Sequence, residues 1–326
     1  MIMKIELEDL KDMKILVNLN KNFVKILFKS LTERYPPKDK RLAEKLGVKF
    51  NLKYGVSPSL RGWYSGTRNM PMKILAKIMK LTKKYDWEDI ENNLIGLKAG
   101  NGRSISVKPN FPIKFNKNLG LLIGHILGDG WINTNFSQPC YGNSNKHLLK
   151  EYERAMKYIF RAQPRIWVQK EGKYGNSEWL KRVNSIDEIP DGHHGVLFYS
   201  KIVGLILYRI FGMFAVGRYH KEIPILTFVL PLDFKIGLIK SFFDDEASVS
   251  RSRTIRVHQD NPSILHDMRN LLKEIGIEPG EIKWYLKRGR KRFYFGIFSK
   301  RKFRIYKKKI NFTSPSKRET LINLIN

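Results

Sequence analysis

The chain has 326 residues, enough to bury a large core and to form two or three domains. Its 61 Lys and Arg against 30 Asp and Glu leave a formal charge of +31, which points to a polyanionic partner, with nucleic acid the leading candidate. A single cysteine, Cys140, excludes a disulfide framework and a Cys-based zinc site and fits a reducing cytoplasm.

At the N-terminus, Met1 to Leu10 carries Lys4, Glu6, Glu8 and Asp9 where a signal peptide needs an apolar run. The periodicity predicts a helix over 22–35, with Phe23, Ile26, Leu27 and Leu31 on one face and Pro36 and Pro37 as the stop. A short helix follows in 39–47, then one led by Ser57 as N-cap and Pro58 at its first position, then an amphipathic helix over 72–84. Residues 1–94 therefore read as a small all-α domain. The order LAEKLG, turn, SPSLRGWYSG resembles helix-turn-helix domains of phage-repressor type, although the 48–56 turn is longer than in that motif. That resemblance implies that Ser59, Arg61 and Tyr64 line a DNA-facing side. Gly96, Gly100, Gly102, Pro109 and Pro112 make 95–116 a linker.

The stretch LIGHILGDG, 122–130, organises the rest. Gly120, Gly124 and Gly128 recur every fourth residue and form one bare stripe on a helix, an invitation to a second helix backbone. Gly237, Ser241 and Asp245 lie 117 residues further on (237 − 120, 241 − 124, 245 − 128) and form the echo within IKSFFDDEA. Asp129 and Glu246 share that offset (246 − 129), each just before a small residue at a helix C-terminus. A carboxylate there opposes the helix dipole, and packed stripes bring the two acids face to face. A divalent cation held by carboxylate oxygens, Mg²⁺ or Mn²⁺, is the economical compensation, and phosphodiester hydrolysis the matching chemistry. The bland reading of Asp129, a turn aspartate, loses weight against the register with Glu246. Asp244 and Asp245 are rivals for the second acid, but Glu246 keeps the correspondence best.

These two stretches resemble the motifs of the LAGLIDADG homing endonucleases in their single-chain, two-motif form. The first keeps the core glycine at Gly124, the acid at Asp129 and the final glycine at Gly130; the second has Ser241 and Ala247 where glycines are usual. The resemblance implies an α+β fold with two pseudo-symmetric αββαββα repeats, 117–213 and 233–326, joined by a connection at 214–232. Their saddle-shaped antiparallel sheets lie along DNA, and the first helices pack through Gly120, Gly124, Gly128, Gly237 and Ser241. Further pairs support the duplication: Leu148 with Leu265, Trp167 with Trp284, and Lys170 with Lys287 at the offset of 117. Beyond the hairpins the offset falls to 99, which assigns an 18-residue insertion (117 − 99) to the region 174–191.

Asp129 and Glu246 are then the expected metal ligands and catalytic acids. Lys170 and Lys287, as matching strand residues, are candidates for stabilising transition-state charge. The hairpin KRGRKR offers Lys287, Arg288, Arg290 and Arg292 as phosphate contacts. His125, between apolar neighbours, reads as a packed or interface histidine. The expected function is a monomeric, metal-dependent, site-specific endonuclease acting on double-stranded DNA, cytoplasmic and without a membrane partner. A DNA-binding transcriptional regulator that has lost catalysis, or an RNA-splicing maturase, are the alternatives.

Overall fold

The computed structural model describes residues 4–33, 35, 40–51, 57–100, 105–133, 139–171, 177–212, 214–216, 220–250, 253–287 and 289–326. The chain divides into two compact units, one over 5–113 and one over 114–326 with the first four residues. Two short strands, β1 (Lys4–Ile5) and β5 (Ile113–Lys114), lie at the borders between them.

The unit over 5–113 holds β2 (Ile15–Leu19), α1 (Lys21–Thr32), α2 (Lys40–Leu46), α3 (Pro58–Tyr64), β3 (Met70–Pro71), α4 (Met72–Thr82), α5 (Trp87–Asn92) and β4 (Leu94–Ala99). It is not the all-α domain expected, because β3, β2 and β4 form a three-stranded antiparallel sheet. In β2, Ile15, Val17 and Leu19 are buried and alternate with half-buried residues, the two-residue period of a strand with one covered face. Nor does a linker begin at 95. Gly96, read as a breaker, lies inside β4 because a bridge between Leu97 and Val107 carries the chain across it, and a Cβ there would press on Ser106 Oγ and crowd Val107 O. α1 also turns slightly from the expected face, burying Val24 and Phe28 and leaving Ile26 exposed.

The second unit runs through one plan twice. The first pass is α6 (Lys117–Leu127), β6 (Gly130–Ile132), β7 (Pro139–Asn143), α7 (Lys146–Phe160), β8 (Arg165–Glu171), β9 (Ser177–Val183), β10 (His194–Phe198) and α8 (Lys201–Phe211). β11 (Ala215–Val216) and β12 (His220–Lys221) follow within the expected connection. The second pass is α9 (Leu232–Glu246), β13 (Ala247–Ser250), β14 (Thr254–Gln259), α10 (Pro262–Glu274), β15 (Lys283–Lys287), β16 (Arg290–Phe298) and α11 (Lys300–Lys309), with α12 (Pro315–Ile325) added. The second sheet has the order β13-β14-β16-β15, and the first contains the same core order, β6-β7-β10-β8. To that core the first sheet adds β9 at one edge and β11 and β12 at the other, β11 running parallel to β6. The insertion expected near 174–191 is thus largely an extra edge strand, β9.

The register corrects one part of the duplication. Gly130 pairs with Tyr141 and Ala247 with Val257, so the offset drops from 117 (247 − 130) to 116 (257 − 141) at the first hairpin. The N-caps of α7 and α10, Asn145 and Asn261, keep 116 (261 − 145). Leu265 therefore corresponds to Leu149. Val196 faces Gly142 and Trp167, while Tyr294 faces His258 and Lys283. Trp167 thus corresponds to Lys283, Lys170 to Leu286 and Lys287 to Glu171. Lys170 and Lys287 are not symmetry mates, because a one-residue slip moves a side chain to the opposite face.

Candidate active site

α6 and α9 cross with their backbones almost touching. A Cβ on Gly120 would strike Phe234 O, and one on Gly237 would strike Lys117 O, a reciprocal pair. Gly124 lies on Leu238 O and Ser241 Oγ, and a Cβ on Gly128 would come within 2.6 Å of Asp245 Cβ. Ser241 replaces a glycine without separating the helices, because its hydroxyl folds back onto Gly237 O at 3.1 Å. Each helix then hands the chain to a strand through a small residue, Gly130 or Ala247, which leaves Asp129 and Glu246 at the helix ends.

The two acids have the same kind of partner. Asn143 Nδ2 donates to Asp129 Oδ2 at 2.8 Å, and Gln259 Nε2 donates to Glu246 Oε1 at 2.8 Å. These amides end β7 and β14 and stand at the matched offset of 116 (259 − 143). Crowding by protein atoms, then the charges of Asp245 and Glu246, hold the Asp129 carboxyl well above the usual range. Asp129 is exposed, so the like charges are the lasting part of that shift. Burial pushes Glu246 up to about 7, with Lys221 opposing and Asp245 assisting. Both carboxylates are pushed toward the neutral form despite the charge of Lys221, a balance that a bound cation would reverse.

The other two acids of the run are engaged elsewhere. Asp244 accepts the backbone N–H groups of Thr313 and Ser314 at 2.8 and 3.1 Å, fixing the approach to α12. Asp245, its side chain fully buried, accepts the Tyr141 hydroxyl at 2.6 Å and meets His125 Nδ1 at 3.0 Å. Asn143 also donates to Tyr141 Oη at 3.3 Å, so a hydrogen-bonded chain runs from Asp245 through Tyr141 and Asn143 to Asp129.

His125 is an interface histidine, but a charged one. Burial alone would lower its pKa; Asp245, and Glu151 3.4 Å from Nε2, raise it to about 9. Glu151 is held down to about 2, against burial, by His125 and by Lys240 at 2.6 Å. The His125 contribution to stability is therefore fully present below its unfolded value near 6.5 and lost as pH rises through about 9. That of Glu151 is present above 4.5 and lost as pH falls through about 2. His125→Asn should remove the alkaline limb, worth on the order of 3 kcal/mol between pH 6.5 and 9. Urea midpoints of both proteins across that range check this.

Residues 233–311, from α9 through α11, match the family model of the LAGLIDADG-like domain. The match spans 79 residues (311 − 233 + 1) of the 326, about a quarter of the chain. The reciprocal crossing of α6 with α9 and the shared strand order give the chain a two-motif form. An uncharacterized protein of Methanocaldococcus jannaschii is 23% identical over 197 residues, 56% of this chain and 19% of that protein, so the chain spans about a fifth of that relative's length. Among solved structures, mesophilic variants of the homing endonuclease I-DmoI align with TM-score 0.42 and 12% identity over 60% of this chain and 96% of theirs. The homing endonuclease I-WcaI bound to its DNA recognition sequence aligns at 0.41 and 15% over 64% and 87%. Full-length WhiA from Thermatoga maritima aligns at 0.42 and 12% over 65% and 60%.

Around Asp129 and Glu246, the nearby lysines are not the two expected. Lys221, on β12, donates to Gly128 O, and its charge acts on both Asp129 and Glu246. Lys317, on α12, donates to Asp244 O and feels Asp244, Asp245, Asp129 and Glu246; burial lowers its pKa. Both lie outside the duplicated stretches, so no symmetry argument reaches them. Lys170 is exposed opposite Glu178, on the parity of the helix-covered Ile166 and Val168. Lys287 is exposed at the far end of β15, where its charge bears on His258.

A cleft of about 500 Å³ opens at Asp129, lined also by Trp131, Asn143, Gln169, His194 and Lys317. On the open face of the second sheet, register places Arg256, His258, Tyr294, Lys283, Tyr285, Arg292, Lys287 and Arg290 together, opposite the face of buried Val257, Phe295, Ile255 and Ile297. Three of the four hairpin residues expected to touch phosphate are in that set, and Arg288 lies outside the described residues. In the other unit, α3 presents Arg61 and Tyr64 to solvent and leaves Ser59 half-buried, while Leu60 and Trp63 face inward.

Proposed function

We propose that this chain is a divalent-metal-dependent endonuclease that cuts one phosphodiester in each strand of a double-stranded DNA site, working as a monomer. The observation that carries the reading is the pair Asp129 and Glu246 at the ends of touching helices, each held by one amide and both kept above the usual carboxylate range. Among the described residues no group of three or more His, Cys, Asp or Glu side chains is arranged to hold a metal. Two hard carboxylates completed by water and phosphate oxygens nevertheless suit Mg²⁺ or Mn²⁺. Such an ion, when bound, supplies Lewis-acid polarisation of phosphate and activation of water.

The protein's own part is positioning. Asn143 and Gln259 each engage one oxygen of an acid and leave the other for a ligand. Lys221 and Lys317 set ammonium charge beside both acids, where it offsets charge building on the phosphate. The basic face of the second sheet holds the duplex by its phosphates.

One observation favours a second reading. Lys221 and Lys317 already donate to the carbonyls of Gly128 and Asp244, so fixed lysines can take the place of a cation in a purely DNA-binding regulator. Incubation with supercoiled plasmids carrying a random site library separates the two. Linear product in Mg²⁺ and none in EDTA supports the nuclease; binding without nicking in either condition supports the regulator.

A further inference from the structure

The open faces of the two sheets differ in what they expose. In the second, Arg and Lys surround the half-buried rings of Tyr285 and Tyr294; in the first the exposed rings are indoles, Trp167 and Trp179 with ring centroids 6.3 Å apart, and Phe198 lies 5.7 Å from Trp179. Trp167 is 37% exposed and Trp179 48%. Register puts Phe198 across from Arg165, and Trp167 across from Arg182, all on the face opposite Tyr141, Leu197 and Ile166, which pack toward the helices. β9, an edge strand added beyond the shared core order, supplies Trp179 and Arg182. At the position of Trp167 the second repeat has Lys283.

Two half-exposed indoles interleaved with guanidinium groups, on a chain of net charge +31, are complementary to nucleobases attached to phosphates. A fully paired duplex offers only base edges in its grooves, because its base faces are already stacked. Unpaired bases offer their faces, and stacking on an aromatic ring is worth about 1–3 kcal/mol each. The same sheet face continues through Gln169 and His194 into the cleft at Asp129, so a strand on the indoles runs on toward that acid.

We propose that Trp167, Trp179 and Phe198 form a stacking platform for unpaired bases of a DNA strand entering the Asp129 cleft, with Arg165 and Arg182 taking its phosphates. This rests on the reading of the chain as a DNA-binding protein, but not on cleavage.

The test is equilibrium binding in Ca²⁺ to a paired DNA duplex, to the same duplex with a bubble of about six unpaired nucleotides, and to the RNA version of that bubble. Wild type should bind the DNA bubble at least about tenfold tighter than the paired duplex, with quenched tryptophan emission. The double variant Trp167→Ala, Trp179→Ala should lose at least about tenfold on the bubble and little on the paired duplex. Both residues are exposed, and an unchanged far-ultraviolet spectrum with unchanged duplex affinity shows that the variant folds. Equal affinity for bubble and duplex, an equal loss on both, or a preference for the RNA bubble would overturn the proposal. A bubble preference without any Mg²⁺-dependent cleavage would remove the nuclease reading and leave the platform standing.

Discussion

Asp129→Asn and Glu246→Gln are each expected to lower DNA cleavage by about three orders of magnitude or more while leaving binding in Ca²⁺ within a few-fold of wild type. Both changes keep shape. An amide oxygen still accepts from Asn143 or Gln259, so the helix ends stay where they are and only charge is removed. The same argument predicts the sign of a stability change. Each carboxylate is held above its usual pKa, so its charged form weighs against the fold at pH 7. For Glu246 that cost grows as pH rises from 4.5 to about 7 and is constant above. Both variants should therefore resist urea slightly better than wild type in EDTA. Loss of binding together with loss of stability would show that the acids are structural.

The second large effect is in the helix crossing. Gly120→Val should cost about 3 kcal/mol or more, because the new Cβ meets backbone atoms of α9, which cannot rotate away as a side chain can. Ser241→Gly should cost less than 1 kcal/mol, roughly the helix penalty of glycine. Whatever Gly120→Val leaves folded should cleave poorly, since spreading the helices separates Asp129 from Glu246 and misplacement of about 1 Å costs around a hundredfold. Urea unfolding and cleavage rates on the same samples check both halves.

How much of this was legible in the residues depends on which physical signal they carried. The stripe of Gly120, Gly124 and Gly128 was readable because close backbone approach demands small side chains at one spacing, and the echo at Gly237 and Ser241 identified its mate. Asp129 and Glu246 were read from their shared offset, each one residue past the last stripe position of its helix. Lys170 and Lys287 misled because a sequence offset of 117 was carried past a hairpin that shortens it to 116, which a strand does not forgive. The N-terminal sheet was missed because Gly96 marks a close crossing inside a strand, yet a glycine in sequence reads as a break. Asn143 and Gln259 were within reach, as amides at matched positions after each acid. Lys221 and Lys317 were not, because their approach to Asp129 and Glu246 is set by tertiary packing of segments that no repeat relates.

Calorimetric titration of Mn²⁺ into the full chain tests the central claim most directly. Wild type should take up the ion with a measurable heat that disappears in the double variant Asp129→Asn, Glu246→Gln. An unchanged isotherm in that variant, or none in wild type even with DNA bound, would contradict the account of these two carboxylates as a metal-binding pair.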